Sequence, residues 1–335
     1  MRIGVLGLGF MGSTHLQALA RMSGVRLAAV MDADEKRLAG DLSGIQGNLG
    51  GPGQRMDFAG ANRYRTVEEI LADPAVDAVD ICLPTNLHAP AAIQALRAGK
   101  HVLVEKPMAL DPEAADAMRA EAEGAGRVLM VAQVLRFFPA YEGLYDLVKS
   151  GGLGAVRSAF FRRRTAVPTW GPWEFDKAQS GGGVFDLLIH DVDQALRLFG
   201  IPGAISATGH EDMPNGIDNI VSEFFYPEVG SVTITGGWYH RGEYPFSMEY
   251  TVTGDGGVVE FSSAGRPATV YWAGGRKETL PDSGKDAYQA EIEYFVDCCR
   301  SSRRPELCMP DESATAVKIT RLMVEARSER RRLTP

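Results

Sequence analysis

An acid, an amine and a proline follow one another at Glu105, Lys106 and Pro107, directly after the apolar stretch HVLV. The proline disfavours a helical conformation at Lys106 and lacks a backbone donor, so it restricts where the lysine side chain points. An ammonium held in this way could stabilise negative charge that develops on a reacting oxygen. A lysine that only solubilises an exposed loop is the alternative interpretation.

A glycine motif, G-x-G-x-x-G, lies near the N-terminus between an apolar stretch and an amphipathic helical pattern; it consists of Gly7, Leu8, Gly9, Phe10, Met11 and Gly12. In such a motif the first glycine permits a tight turn, the second lets the backbone approach a pyrophosphate, and the third lets helix and strand pack closely. The first N–H groups of the helix can then bind phosphates. The motif predicts a dinucleotide site, and a glycine turn that binds nothing is the alternative.

Asp32 ends the next apolar stretch about twenty residues after the motif ends, where a ribose 2′-hydroxyl needs an acceptor. A carboxylate at this place repels the additional phosphate of NADP, so Asp32 favours NAD. Lys36 and Arg37 follow closely. They favour NADP if they reach the same ribose, and otherwise they belong to the solvated first turn of a helix. We therefore predict NAD and keep NADP as the alternative.

A second polar cluster follows three glycines in SGGGVFDLLIHDVDQALRLFG. Asp186, His190, Asp193 and Arg197 are separated by four, three and four residues, so they share one face of a predicted helix. The rest of that helix is apolar and should be buried, and buried polar groups need partners or a function. A histidine beside a carboxylate is a candidate general base, which here is His190. A hydrogen-bonded core histidine is the alternative.

The stretch CLPTNLHAP ends another predicted strand and brings four candidate residues to the same sheet edge: Pro84, Thr85, Asn86 and His88. We expect these residues to hold the nicotinamide half of the cofactor. His88 could equally cap the helix that follows, and we do not predict it to be the catalytic base.

Strands and helices alternate along the first part of the chain, which is typical of βαβ units around a parallel sheet. Ligands of a doubly wound sheet bind beyond the carboxyl ends of its strands, where Glu105 and Lys106 lie. Later strands follow one another without comparable helices, and several alternate polar and apolar residues. The sequence predicts an α/β domain over residues 1–137 and an α+β domain over residues 138–335. Gly44 to Gly60 is predicted to be an exposed loop, with a lid over a ligand as the alternative.

The composition is that of an ordinary globular protein, with 335 residues, 45% hydrophobic and 23% charged. A formal charge of −8 disfavours nucleic acid and anionic membrane surfaces as partners. The four cysteines lack the spacing of disulfide frameworks, and no cluster of potential ligands has metal-site spacing, so we predict reduced thiols and no metal. Neither a signal peptide nor an apolar run of membrane-spanning length is visible, so a cytoplasmic protein is expected.

These motifs, in this order, resemble those of the Gfo/Idh/MocA family of glucose–fructose oxidoreductases and inositol dehydrogenases, over essentially the whole chain. GLGFMGSTH is similar to the family's cofactor loop, GKHVLVEKP to its E-K-P signature, LRFFPAY to its R-F-x-P-x-Y junction and SGGGVFDLLIHDVD to its D-x-x-x-H helix. AYQAEIEYFVDCCRS is similar to its C-terminal region. Two features depart from the family pattern: the Gly44 to Gly60 insertion, and Leu188 in place of a frequent glycine.

The resemblance implies a Rossmann domain, followed by an α+β domain whose large open mixed or antiparallel sheet commonly forms the interface of a homodimer or homotetramer. It implies NAD(P)-dependent oxidation of a secondary alcohol in a carbohydrate, polyol or inositol-type small molecule. It also implies that Lys106 anchors the reacting oxygen, that His190 is the acid/base, and that Asp186 holds His190 or the substrate.

The same chemistry follows from the residue types. His190 would take the hydroxyl proton while hydride leaves the carbon for the nicotinamide, and Lys106 would stabilise the developing alkoxide. Arg136, Trp170 and Trp173 are candidates for the substrate pocket, because polyols suit charged hydrogen bonds and aromatic faces. Packing at the domain junction is the alternative for the two tryptophans.

Three other functions stay open at this point. Some members of the family are glycosidases that retain NAD and oxidise their substrate transiently, and others are sugar-sensing regulators without the chemistry. The presence of Lys106, Asp186 and His190 argues against a silent regulator. A metal-dependent dehydrogenase is the weakest alternative, because the sequence shows no ligand cluster.

Overall fold

The computed structural model describes residues 1–45, 47, 53–167 and 172–335. The chain divides into two compact units, each with its own sheet. Unit 1 comprises Met1–Val134 and Asp286–Ala314, and unit 2 comprises Leu135–Lys285 and Thr315–Pro335. None of the described helices combines the length and the apolar character that crossing a lipid bilayer requires.

The sheet of unit 1 is parallel throughout its described strands, which have the order β3-β2-β1-β4-β5-β6. These strands are β1 (Arg2–Leu6), β2 (Arg26–Met31), β3 (Asn62–Tyr64), β4 (Ala78–Ile81), β5 (His101–Glu105) and β6 (Leu129–Ala132). β4 and β6 are buried along their whole length, which explains their continuous apolar sequence. The strand order reverses between β1 and β4, where doubly wound sheets bind their ligands. The predicted parallel α/β fold is confirmed.

The described helices between these strands are α1 (Phe10–Arg21), α2 (Glu35–Leu38), α3 (Val67–Ala72), α4 (His88–Arg97) and α5 (Pro112–Ala125). Local chemistry determines where several of them begin and end. Asp111 caps α5 by accepting the Ala114 N–H, and Gly126 ends this helix with a φ of 62°. Thr66 and Glu69 form a capping box at the start of α3.

The sheet of unit 2 has the strand order β14-β13-β12-β11-β7-β10-β9-β8. These strands are β7 (Val156–Ala166), β8 (Ala204–Asp212), β9 (Ile217–Phe225), β10 (Ser231–His240), β11 (Ser247–Gly254), β12 (Gly257–Ser262), β13 (Arg266–Trp272) and β14 (Lys277–Thr279). β7 and β10 are parallel, and the other described neighbours are antiparallel. Burial alternates along β7 and β9, so one face is covered and the other is open. The predicted open mixed sheet is confirmed.

The described helices of unit 2 before residue 200 are α6 (Pro139–Lys149), α7 (Lys177–Ser180) and α8 (Gly183–Phe199). α8 covers the inner face of the sheet. Its residues Val184, Leu188 and Val192 recur once per turn and lie in one core cluster with Phe161 and Ile234.

The last two helices are α9 (Ala287–Ser301) and α10 (Pro310–Glu329). The chain leaves unit 1 after Val134, close to the boundary predicted after residue 137, and it returns to unit 1 over Asp286–Ala314. The prediction of one domain boundary after residue 137 does not account for this return. The chain returns to unit 1 because α9 packs against α1, and this packing buries Ile292 and Phe295.

The predicted loop from Gly44 to Gly60 lies partly outside the described residues, since 46 and 48–52 are not among them. Its described residues are mostly exposed, but Phe58 is buried. The Met56 N–H donates to the Gly40 carbonyl oxygen at 2.9 Å, which ties this part of the loop to the end of α2.

Candidate active site

The glycine loop joins β1 to α1 and has the three different glycine environments that the motif predicts. Gly7 has a φ of 89°, and a methyl group on it would lie 2.5 Å from the Cys82 carbonyl oxygen. A methyl group on Gly12 would collide with the Gly7 carbonyl oxygen. A methyl group on Gly9 would meet no atom of the described residues within 4 Å. The loop is therefore close-packed on its protein side and open at Gly9, as a backbone that a pyrophosphate approaches must be.

We expect Gly9→Ala to weaken NAD binding at least about tenfold while the protein stays folded. The backbone at Gly9 has φ −74° and ψ −157°, which an alanine can adopt, and the new methyl group would occupy the open side of the loop. Alanine in place of a good helix N-cap residue costs about 0.5–2 kcal/mol of stability. A NAD titration, together with thermal unfolding followed by circular dichroism, measures both effects.

The matched control for Gly9→Ala is Gly124→Ala. Gly124 lies in α5, is exposed, and also has no atom near its hypothetical methyl group. Its replacement should stabilise the helix by about 0.5–1 kcal/mol and leave NAD affinity unchanged. Equal NAD affinity of the wild type and Gly9→Ala would contradict the role of this loop.

Asp32 is buried at the end of β2, and both of its carboxylate oxygens accept backbone hydrogen bonds. Oδ2 accepts from the Leu8 N–H at 2.7 Å, and Oδ1 accepts from the Asp34 N–H at 2.8 Å. Asp32 therefore orients the glycine loop, and it also lies where an acceptor for the ribose is expected. Nη1 of Arg37 lies 3.6 Å from Oδ2, so a cation also reaches this place.

The residues after β4 form a short 3₁₀ helix, Thr85–Leu87, preceded by Pro84. Thr85 is buried and Asn86 is exposed. His88 begins α4 and is buried, with Nε2 2.7 Å from the Leu83 carbonyl oxygen and Nδ1 2.7 Å from that of Pro107. Burial lowers the pKa of His88, although the two carbonyl oxygens act in the opposite direction. Because both ring nitrogens are engaged, we interpret His88 as joining the loops after β4 and β5 instead of contacting the cofactor.

Glu105 and Lys106 lie at the carboxyl end of β5. Glu105 is buried, Lys106 is half-buried, and the Lys106 N–H donates to Glu105 Oε2 at 3.0 Å. The peptide bond between Lys106 and Pro107 is cis. Glu105 thus directs a carboxylate inward, at the residue where the chain turns away from the sheet.

The inward side of Glu105 reveals a polar cluster that the sequence analysis missed. We call it the His15 cluster, and it consists of His15, Asp80, Cys82, Glu105 and Glu291. His15 is 0% exposed; its Nδ1 lies 2.9 Å from Asp80 Oδ2, and its Nε2 lies 3.2 Å from Glu105 Oε1. The signal was present in the sequence, because Asp80 is an acid inside an apolar strand and needs a partner when buried.

The charges in the His15 cluster follow from burial and from its acids. Burial lowers the pKa of His15, but Asp80 and Cys82 raise it, and the result lies well above the ordinary histidine value. Burial raises the pKa of Glu291, which is 0% exposed, well above its usual range. Both shifts favour the protonated forms of His15 and Glu291.

Three members of this cluster could in principle bind a metal, which the spacing along the sequence did not indicate. The ligand atoms of His15, Asp80 and Cys82 lie within 4.8 Å of one another. Burial raises the pKa of the Cys82 thiol, whose Sγ lies 3.5 Å from Asp80 Oδ1, whereas a metal ligand must be a thiolate. We interpret the group as a hydrogen-bonded ion pair with a neutral thiol.

In unit 2, two glycines before α8 and a third at its first residue let the start of this helix lie against the sheet. Gly182 has a φ of 92°, and a methyl group on Gly183 would collide with the Trp238 ring. The Val184 N–H donates to the buried Asp218 at 2.9 Å. Asp186 follows in the first turn and His190 one turn later, both half-buried. The helix therefore presents an acid and an imidazole in succession from a rigidly packed end.

The polar face of α8 continues into the core of unit 2. Asp193 is buried and forms an ion pair with Arg136, whose Nε donates to Asp193 Oδ2 at 2.9 Å and whose Nη2 donates to Oδ1 at 2.5 Å. Arg136 is 2% exposed, so we do not retain it among the substrate candidates. The guanidinium carbon of Arg197 lies 3.8 Å from the centre of the Tyr145 ring. Asp193 and Arg197 thus have partners within unit 2, and the prediction of substrate chemistry on this stripe rests on Asp186 and His190.

Trp173 is half-buried in a 3₁₀ helix, Pro172–Phe175. Trp170, the other predicted aromatic candidate, lies outside the described residues. The four cysteines form no disulfide in the described chain.

Comparison with known proteins identifies the family. Residues 1–133 match the oxidoreductase family with an NAD-binding Rossmann fold, and residues 141–260 match the GFO/IDH/MocA C-terminal domain. Inositol 2-dehydrogenase of Rhizobium meliloti (strain 1021) is 30% identical over 311 residues, 88% of each chain. The scyllo-inositol 2-dehydrogenase (NAD(+)) of Bacillus subtilis (strain 168) is 29% identical over 322 residues, 91% of this chain and 88% of that one.

D-xylose 1-dehydrogenase (NADP(+)) 2 of Haloferax volcanii carries NADP(+) in its name. It is 28% identical over 92% of this chain and 91% of its own length. Two further relatives, an uncharacterized oxidoreductase of Rhizobium meliloti and a myo-inositol 2-dehydrogenase of Thermotoga maritima, align over 63% and 55% of their own lengths. The structure of aldose-aldose oxidoreductase from Caulobacter crescentus has a TM-score of 0.85 to this chain, with 25% identity and coverage of 100% and 99%. The chain belongs to the Gfo/Idh/MocA family of oxidoreductases.

Proposed function

We propose that this chain is an NAD(P)-dependent dehydrogenase acting on a secondary alcohol of a sugar, polyol or inositol. The observation that carries the proposal is the glycine loop, which is closed by packing at Gly7 and Gly12 and open at Gly9. Asp32 at the end of β2 and Lys106 at the end of β5 lie on the same edge of the sheet. Three relatives that align over most of the chain are named as inositol or xylose dehydrogenases, which supports the substrate class.

The cofactor candidates fit a dinucleotide. The first N–H groups of α1 and the loop backbone would hold the pyrophosphate, because Gly9, the N-cap of α1, has no side chain in the way. Asp32 would accept a hydrogen bond from the adenosine ribose. Pro84, Thr85, Asn86 and Glu105 would line the nicotinamide end, together with Phe10 and Met11 of the glycine loop. When bound, the nicotinamide supplies the hydride acceptor.

Proton transfer and charge stabilisation are assigned to Lys106 and to residues of α8. His190 takes the proton of the substrate hydroxyl as the hydride leaves the carbon, so the alcohol becomes a carbonyl group. The Lys106 ammonium stabilises the negative charge that grows on the oxygen. Asp186 orients His190 or a neighbouring hydroxyl, and Trp173 offers an aromatic face to the sugar ring. In the reverse direction His190 returns the proton.

We predict that NAD binds more tightly than NADP, and that Asp32→Ala narrows the difference. Asp32 also accepts the Leu8 N–H, so its loss should weaken both cofactors, and the ratio of the two dissociation constants is the informative quantity. Titrations of the wild type and Asp32→Ala with both cofactors measure this ratio, with Arg37→Ala as the matched variant. Tenfold tighter binding of NADP to the wild type would refute the role of Asp32 and make Lys36 or Arg37 the determinants.

The proposed activity is tested by measuring NADH and NADPH formation with inositols, aldoses, sugar acids and glycosides. Oxidation of an inositol or sugar with stoichiometric reduced cofactor supports the dehydrogenase. Cleavage of a glycoside without net NADH would favour the NAD-retaining glycosidase. Binding of NAD and sugar with no turnover of any compound would favour the sugar-sensing regulator.

We also propose that the protein is a homodimer or homotetramer in the cytoplasm. The open face of the unit 2 sheet carries exposed Phe160, Val221 and Tyr271, and Val221 is 54% exposed. A monomeric mass by light scattering at micromolar concentration would contradict the oligomer.

A further inference from the structure

The His15 cluster connects α1, which begins at the glycine loop, with the ends of β4 and β5. It forms a chain of contacts inside unit 1 that ends at the backbone of Lys106. Asp80 Oδ2 lies 2.9 Å from His15 Nδ1, His15 Nε2 lies 3.2 Å from Glu105 Oε1, and the Lys106 N–H donates to Glu105 Oε2 at 3.0 Å. The two oxygens of Glu105 thus have different partners.

We propose that His15 is a positioning residue, which holds the Glu105 carboxylate and, through it, the backbone from which the Lys106 side chain projects. The inference rests on the proposed role of Lys106 in the reaction. A carboxylate held through both oxygens cannot rotate without losing one of its contacts. His15 in turn is held on its other nitrogen by Asp80, so its ring is oriented from two sides.

All the ionisable groups around His15 are consistent with a charged ring. Asp80 and Cys82 face it from β4 and the residue after it, Glu105 from β5, and Tyr288 and Glu291 from α9. His15 Nδ1 is hydrogen-bonded to Asp80, whereas Nε2 has no hydrogen-bond partner among the described residues and faces Glu105 at ion-pair distance, so only a charged ring attracts both flanking acids. Burial raises the pKa of both Glu291 and Tyr288, which disfavours the negative charge that each could carry beside His15.

The alternative explanation is that His15 has a purely structural role. In that case His15 would only join α1 to β4 and β5, and its loss would reduce stability without changing turnover per folded molecule. A positioning residue instead acts through Glu105 on Lys106. It therefore alters the rate and the local protection of the Lys106 amide, and its effect disappears when Glu105 has already been altered.

The experiment compares His15→Gln, Glu105→Gln and the double variant in the full-length protein. We expect His15→Gln to lower kcat about 10–100-fold, since small displacements of a catalytic group have effects of this size, with little change in the dissociation constant of NAD. The double variant should be no slower than Glu105→Gln alone. Losses that multiply in the double variant, or an unchanged kcat in folded His15→Gln, would overturn the proposal.

Hydrogen–deuterium exchange separates this inference from the proposed function, because it needs no substrate. Peptides covering Lys106 should exchange faster in His15→Gln than in the wild type. The matched control is His101→Gln, at the opposite end of β5, where Nδ1 accepts the Val128 N–H at 3.1 Å. This control should leave kcat and Lys106 exchange unchanged. Faster exchange in His15→Gln together with an inactive wild type would reject the dehydrogenase but keep the positioning role, and unchanged exchange would reject the positioning role.

If His15→Gln does not fold, a measurement on the wild-type protein still tests the proposal. The side-chain nitrogens of its six histidines can be observed by NMR after selective labelling, and His15 is identified by its response to Glu105→Gln. A doubly protonated His15 ring at pH 7 is expected, and a neutral ring would overturn the proposal.

Discussion

Lys106→Ala should lower kcat by about 10²–10³-fold, the usual cost of losing one group that stabilises an oxyanion. The ammonium acts on charge that develops only as the hydride leaves, so its loss affects the transition state more than the bound substrate. The NAD dissociation constant should change little, because the proposed pyrophosphate and ribose contacts lie on the glycine loop and Asp32. Steady-state kinetics, a NAD titration and thermal unfolding of the same preparation provide the comparison.

The matched control for Lys106→Ala is Lys100→Ala, one residue before β5 begins. Lys100 is buried, and its Nζ donates to the carbonyl oxygens of Asp73 at 2.9 Å and Val76 at 2.7 Å. Its loss should lower the melting temperature and leave kcat per folded molecule unchanged. Lys106→Ala should show the opposite pattern. A raised KM with an unchanged kcat would make Lys106 a binding residue only.

His190→Asn should lower kcat/KM for alcohol oxidation by about 10²–10⁴-fold, the range typical of a lost general base. Asparagine keeps a hydrogen-bonding side chain of similar size, so the protein should fold and bind NAD. In the wild type, kcat/KM should rise with pH through one ionisation and then level. This rise should be absent in the variant.

Asp186→Asn distinguishes an orienting acid from an independent catalytic group. If Asp186 acts through His190, its replacement should cost less than His190→Asn, and the double variant should be little slower than His190→Asn alone. Multiplying losses would instead give Asp186 a direct contact with the substrate. Full activity of His190→Asn on any sugar or polyol would reject the catalytic assignment.

The fold class and the motifs of this protein could be predicted from its sequence alone. Hydrophobic periodicity, glycine placement and helix caps act between residues close in the chain, so they can be recognised without coordinates. Gly7, Gly9 and Gly12 are an example, because the roles that their spacing predicts are the ones their surroundings support. The D-P start and glycine end of α5 are another.

Which polar residues pair with one another, in contrast, could be seen only in the folded protein. His15 and Asp80 are 65 residues apart, and Arg136 and Asp193 are 57 apart. The sequence shows that a buried acid needs a partner but not which partner, since an ion pair depends on distances that folding sets. For the same reason, the sequence could not reveal that His88 joins two loops, that Arg136 is buried in an ion pair, or that α9 returns to unit 1 to place Glu291 beside His15.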